Sequence, residues 1–175
     1  MTLGARGVRG PLALLAGSLA AMGWATIATS PPRLIYNASD SVPVGWYRIS
    51  PATSLAPGDL VLVHLPPEVR SLAAQRGYLP ANVPLLKTVA AMAPQQVCVK
   101  GNQVRIDGDL VAKRLRWDRK GRALPAWRGC RRLVGDELFL LSTANPESFD
   151  SRYFGPVSAE AVLGQAQPLW LESRR

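Results

Sequence analysis

Three segments of this chain carry residues whose types and spacing suit chemistry. The first is Asn37-Ala-Ser-Asp-Ser-Val-Pro-Val-Gly-Trp-Tyr47. There Ser41 stands between a polar turn and a β-prone run, with Pro43 and Gly45 stiffening and clearing the backbone behind it. Serines in such turns are more often caps or solvated hydroxyls than nucleophiles, and a nucleophilic serine also needs a group to take its proton. The only histidine, His64, ends the run Leu60-Val-Leu-Val without an evident acidic partner, which reads as a strand-end residue. Lys87 is the better candidate base, because Val83-Pro-Leu-Leu-Lys-Thr-Val-Ala-Ala-Met92 surrounds it with apolar residues. A free lysine titrates at roughly 10.4, so service as a base near neutrality requires its charge to be disfavoured by about 4–5 kcal/mol. Burial in an apolar wall supplies that; a lysine snorkelling from a strand edge is the competing reading. The third segment, Phe139 to Val157, runs from a strand into a loop dense in hydroxyls, with Ser148 ahead of Asp150 and Arg152. On residue types alone, Asp150 and Arg152 form a surface pair of little energetic weight.

The elements that must position these groups read mainly as short strands. Trp46–Ile49, Leu60–His64, Val97–Lys100 and Glu137–Ser142 are β-rich runs bounded by Gly, Pro, Asn or Asp. Gln103 to Val111 carries Asp107-Gly108 between two such runs, a hairpin signal because that turn needs positive φ. One helix is expected from Pro67, with Val69, Leu72 and Ala73 on its apolar side and Gly77 as its stop. The expected fold is mainly β, an antiparallel domain preceded by one N-terminal transmembrane helix.

That helix is the strongest compositional signal. No charge falls between Arg9 and Arg33, and Pro11 to Thr29 is mostly Leu, Ala, Gly, Met, Trp and Ile. About 19 helical residues rise roughly 28 Å, close to the hydrocarbon thickness of a bilayer. A cleaved signal peptide competes, but the apolar run is long for one, and Pro31-Pro32 follows the only small-residue exit. Residues 1–33 are accordingly read as an anchor and 34–175 as the exported domain. Arg6 and Arg9 ahead of the span favour an N-terminus inside, although Arg33 and Arg48 weaken the asymmetry. The 175 residues allow one modest domain plus this appendage, and 47% hydrophobic residues against 19% charged allow a packed core. The net charge of +9 is carried mostly by arginine and suits a membrane surface, nucleic acid or an acidic substrate equally. Cys98 and Cys130 lack CxxC spacing and clustered histidines, so a metal site is not indicated. In an exported domain two lone cysteines read as a disulfide, with two buried thiols as the alternative.

Taken together and in this order, the serine, lysine and Ser148-Phe-Asp-Ser-Arg-Tyr-Phe-Gly155 segments resemble the type I signal peptidases. The pattern Ser41-x-Pro43-x-Gly45-x-Tyr47, with Pro156-Val157, Gly164 and Pro168-Leu-Trp170, resembles the conjugal-transfer (TraF) branch of that family. The resemblance implies a signal-peptidase-like β domain on the outer face of the inner membrane, held by a single-pass helix and facing the periplasm. It implies Ser41 as nucleophile, Lys87 as general base, and Ser148 as the group that orients Lys87. The Ser41 N–H and the Ser39 hydroxyl would serve the oxyanion, while Asp150 and Arg152 brace the site. No cofactor is implied. The expected partners are membrane lipid and an exported precursor, a conjugative pilin, cleaved after a small residue or joined end to end. Departures are Val42 where the family places Met, Pro94-Gln95-Gln96 in place of Gly-Asp, and Ser142-Thr-Ala-Asn145 in place of Gly-Asp-Asn. None touches the proposed dyad, and they read as branch differences that favour a dedicated substrate.

Two other functions stay open at this level. One is a signal peptidase of general secretory breadth. The other is a non-catalytic nucleic-acid-binding component, suggested by the arginines between Lys113 and Arg132 with Trp117 and Trp127 interleaved. A solvated loop leaning on anionic lipid is the plainer account of that stretch.

Overall fold

The structure, a computed structural model, describes residues 9–27, 33–142 and 144–172. The chain forms two units, Met1–Pro31 and Pro32–Arg175. In the first, helix α1 (Arg9–Ile27) exposes Leu14, Leu15, Leu19 and Met22. Among the described residues no helix is long and apolar enough to cross a membrane. The transmembrane part of the expected fold is therefore without structural support, whereas the β part is present.

The second unit holds two antiparallel sheets. The larger contains β1 (Leu34–Asn37), β2 (Gly45–Ser50), β3 (Leu60–Val63), β4 (Leu85–Met92), β9 (Glu137–Leu141), β10 (Val157–Ser158) and β11 (Val162–Leu171). Its order is β1-β2-β11-β3-β4-β9-β10. The smaller runs β7-β6-β5-β8, built from β5 (Gln96–Lys100), β6 (Gln103–Ile106), β7 (Asp109–Lys113) and β8 (Gly129–Arg132). Asp107 and Gly108 take φ of 49° and 97°, the conformation the expected hairpin turn demands. Helix α2 (Pro67–Gln75) starts with proline in its first turn and gives way to Gly77 at φ 69°. A one-turn helix, α3 (Ser151–Phe154), follows the Asp150 N-cap.

Position in the sheet decides what each strand buries. β4 lies between β3 and β9, so both its edges are paired. Leu85, Lys87 and Val89 are buried on one face, and past a register shift after Val89 the buried Ala91 turns to the other. Val61, Val63, Leu85, Val89, Leu138 and Leu140 form one core cluster, and Val97, Val99, Val104, Phe139 and Leu141 form another with the small sheet.

Cys98 and Cys130 face each other across β5 and β8, with Cα atoms 4.0 Å apart, and are bridged. The alternative of two free thiols is excluded. The bridge joins residues 32 apart in sequence, so replacing both cysteines by serine is expected to cost about 2–4 kcal/mol. Chemical denaturation of the double variant against the oxidised wild type measures this. A loss well under 1 kcal/mol would mean that β5–β8 pairing already constrains the unfolded chain.

Candidate active site

The turn that carries Ser41 is fastened from several sides. Asn37, buried at the end of β1, donates its side-chain amide to the carbonyls of Ser39, Val42 and Pro43 at 2.9, 3.1 and 3.1 Å. Its own carbonyl oxygen accepts from the Ser39 N–H at 3.1 Å and the Ser39 hydroxyl at 2.8 Å. The buried Tyr47 donates its hydroxyl to the Pro43 carbonyl, and the Ser142 hydroxyl donates to the carbonyl of Ser41 itself. Gly45 has φ 147°, and a Cβ there would collide with the Trp170 carbonyl of β11. Gly45 and Tyr47 of the Ser41-x-Pro43-x-Gly45-x-Tyr47 pattern thus have mechanical reasons. Asn37 and Ser142 are the positioning residues that the sequence reading missed. An asparagine two residues before Ser39 is an Asx-turn signal that could have flagged the first.

Lys87 reaches the site from β4. It is 1% exposed and sits in line with Leu85 and Val89, which excludes a lysine snorkelling from an edge. Its ammonium nitrogen donates to the Ser148 Oγ at 2.6 Å, and that oxygen lies 3.4 Å from the Ser41 Oγ. Ser148 therefore links the lysine to the serine. Burial lowers the Lys87 pKa to about 8, Asp150 acting against the shift and Arg152 with it. The lowering has the sign a base requires.

Asp150 and Arg152 are 0% and 1% exposed, so the surface pair read from residue types is instead a buried one. Arg152 donates to both Asp150 oxygens at 2.7 and 2.9 Å, and to the carbonyls of Ser142, Lys113 and Pro146 at 2.7, 2.9 and 3.1 Å. Asp150 also accepts from the Ser142 N–H at 3.0 Å and caps α3. One ion pair thereby fixes the end of β9, the Ser148 loop and the segment after β7. Burial pushes the Asp150 carboxyl up, while Arg152, the Ser142 N–H and Lys87 pull it down.

Ser39, Ser41, Lys87 and Ser148 line one cleft of about 340 Å³, whose walls include Leu65, Leu79, Leu85, Leu115, Leu124 and Phe149. The Ser39 hydroxyl proton is given to Asn37 here, so its service to an oxyanion would require that bond to be exchanged. His64 is exposed beyond β3 and is not part of the cleft. The basic stretch is not a continuous cationic face. Arg119 pairs with Glu147, Arg122 with Asp118, Arg131 with Glu137, and Arg114 is buried. Asp118 further accepts from the Tyr78 hydroxyl at 2.6 Å, tying the segment to the end of α2.

A serine joined through a second serine to a buried lysine of lowered pKa, in a cleft walled partly by leucine and phenylalanine on an antiparallel sheet, suits acyl transfer. The family model described as signal peptidase, peptidase S26, matches residues 9–171. The chain belongs to that family. Within it, its relatives are proteins of conjugal transfer. It is 38% identical over 143 residues to the probable conjugal transfer protein TraF of Sinorhizobium fredii, covering 75% of this chain and 73% of the relative. A plasmid transfer protein TraF of Escherichia coli is 32% identical, with 76% and 80% covered, and the Agrobacterium fabrum conjugal transfer protein TraF is 32% identical, with 77% and 80% covered. The crystal structure of a signal peptidase I from Enterococcus faecalis matches more loosely, at 19% identity and a TM-score of 0.39, over 65% of this chain and 97% of that one. The protein is thus of the TraF type among signal-peptidase-like proteins.

Proposed function

We propose that the protein is a serine endopeptidase with a Ser41/Lys87 dyad that matures an exported precursor, a conjugative pilin. The observation that carries this reading is Lys87, buried and with its pKa lowered to about 8, donating to Ser148 beside Ser41. Neutral Lys87 draws the Ser41 proton through the Ser148 hydroxyl, which gives its own proton to Nζ as it receives that of Ser41. Oγ meanwhile attacks the scissile carbonyl, and the Ser41 N–H faces the developing oxyanion. Lys87 then passes a proton to the leaving amine, so the peptide C–N bond breaks and an ester on Ser41 remains. Attack by water restores the hydroxyl and releases a free acid; attack by an amine forms a new peptide bond and closes a ring. Apolar walls in the cleft favour a small apolar residue at the cleavage position. The relatives named for conjugal transfer support a dedicated substrate over general secretory breadth. Pairing of Arg119, Arg122 and Arg131 with acids weakens the nucleic-acid reading.

Membrane lipid belongs to the proposal for two reasons. The stretch between Arg9 and Arg33 is uncharged, which suits a single-pass anchor in the inner membrane with the domain in the periplasm. Tyr36, Trp46 and Trp170 also stand opposite one another across β1, β2 and β11, all exposed, and such aromatics favour the membrane interface.

The test is the intact mass of a candidate pilin from the same transfer system, co-expressed with wild type or with Ser41→Ala. The expected result is a peptide lost with wild type and retained with the variant, and a further deficit of one water if the ends are joined. Processing that survives Ser41→Ala would remove the dyad.

A further inference from the structure

Arg114, Arg116 and Arg128 have no role in the chemistry above, yet they gather with Trp117 around a second pocket of about 550 Å³. This pocket shares Trp117 and Leu124 with the catalytic cleft. No carboxylate lines it, and none of the three arginines enters an ion pair among the described residues. Arg114 is 8% exposed, and its Nη atoms reach the carbonyls of Pro125 and Gly101 only at 3.5 and 3.4 Å. Its Nε is the one buried side-chain nitrogen or oxygen without a hydrogen-bond partner among the described residues.

A guanidinium taken out of water without a counter-charge is a costly arrangement, and its fork of donors matches the two oxygens of a carboxylate. Arg114 is also mechanically close to the catalytic brace. The Lys113 carbonyl accepts from Arg152 at 2.9 Å, and the Leu115 N–H donates to the Tyr153 hydroxyl at 3.1 Å.

We propose that this pocket binds a carboxylate of the peptide substrate, an acidic side chain or chain end lying beyond the scissile bond's cleft, through Arg114, Arg116 and Arg128. The inference rests on the cleft holding peptide. The walls shared with that cleft favour a segment of the same chain over a separate ligand.

The experiment uses short peptides with Ala at the cleavage position and Glu, or Gln as control, moved stepwise along the chain. Binding to the Ser41→Ala protein is measured by calorimetry, and cleavage by the wild type is measured alongside. At one or two neighbouring positions Glu should bind at least about tenfold more tightly than Gln, and the preference should fall with salt. In Arg116→Gln/Arg128→Gln, checked for folding by its melting curve, Arg114 remains and the Glu/Gln ratio should fall at least about threefold. Glu preference at no position, or a preference unchanged in the double variant, overturns the proposal while leaving the peptidase reading intact. Arginine-dependent preference without cleavage of any peptide supports the pocket and removes the peptidase. Arginine-dependent binding of inorganic phosphate or phosphatidylglycerol vesicles, with no Glu preference, overturns it in favour of a phosphate site.

Discussion

Lys87→Met is expected to abolish cleavage while making the protein more stable at pH 6. The loss of a general base costs on the order of 10²–10⁴-fold in rate, and Lys87→Arg should be equally inactive because guanidinium stays charged. The gain in stability follows from linkage. Lys87 titrates at about 8 in the folded protein, against roughly 10.4 for an unfolded lysine. Between those values the unfolded chain binds more protons than the folded one, so stability rises with pH across the window. Below pH 8 the folded protein carries the charged lysine at full cost, about 3 kcal/mol. Methionine removes that cost, so its advantage is largest at pH 6 and shrinks as pH climbs from 8 towards 10. For the wild type, kcat/KM should increase about tenfold per pH unit below 8 and level off above it. Denaturation of both proteins at pH 6 and pH 10, with a pH–rate profile, measures all three. A variant less stable than wild type at pH 6 would mean that Lys87 is held charged and is not the base.

How much of this was legible in sequence depends on where each element sits. The strands β2, β3, β5 and β9 and the β6–β7 hairpin announced themselves by β-branched runs between turn residues. β4 gives no alternating signal, because core clusters cover both its faces and its residues read as a near-continuous apolar run. β8 is exposed along its whole length and is glycine, cysteine and two arginines, with no apolar pattern to find. β11 contains Gly164 and Pro168 and shifts register twice, which breaks the period-2 signal although it is an interior strand of the large sheet, between β2 and β3. Ser41, Lys87 and Ser148 were legible only as a combination, since each alone has a blander reading. The burial of Asp150 and Arg152 was not legible, because a charged pair two residues apart looks the same in sequence at a surface or in a core. The carbonyls that Arg152 satisfies come from residues 113, 142 and 146, and that convergence exists only in the fold.

Breaking that pair is expected to have the largest effect on folding. Asp150→Ala leaves Arg152 charged, buried and without its counter-ion, a loss of about 3–5 kcal/mol against a total stability of about 5–15 kcal/mol. Part of that penalty comes from the Ser142 N–H, which loses its acceptor as well. Asp150→Asn keeps an acceptor of similar shape and separates folding from electrostatics. Asp150 raises the Lys87 pKa and Arg152 lowers it, so removing the aspartate charge alone should lower the lysine further. The rising limb of the pH–rate profile should therefore move below 8 in the asparagine variant, even where less folded protein is recovered. A purely structural brace would lower the amount of active protein and leave the midpoint where it was. Arg152→Lys should rescue little, since one ammonium cannot replace a fork that reaches both Asp150 oxygens and three carbonyls at once. A midpoint unmoved in Asp150→Asn would place the Asp150 charge outside the control of Lys87, and the pair would then serve the fold alone.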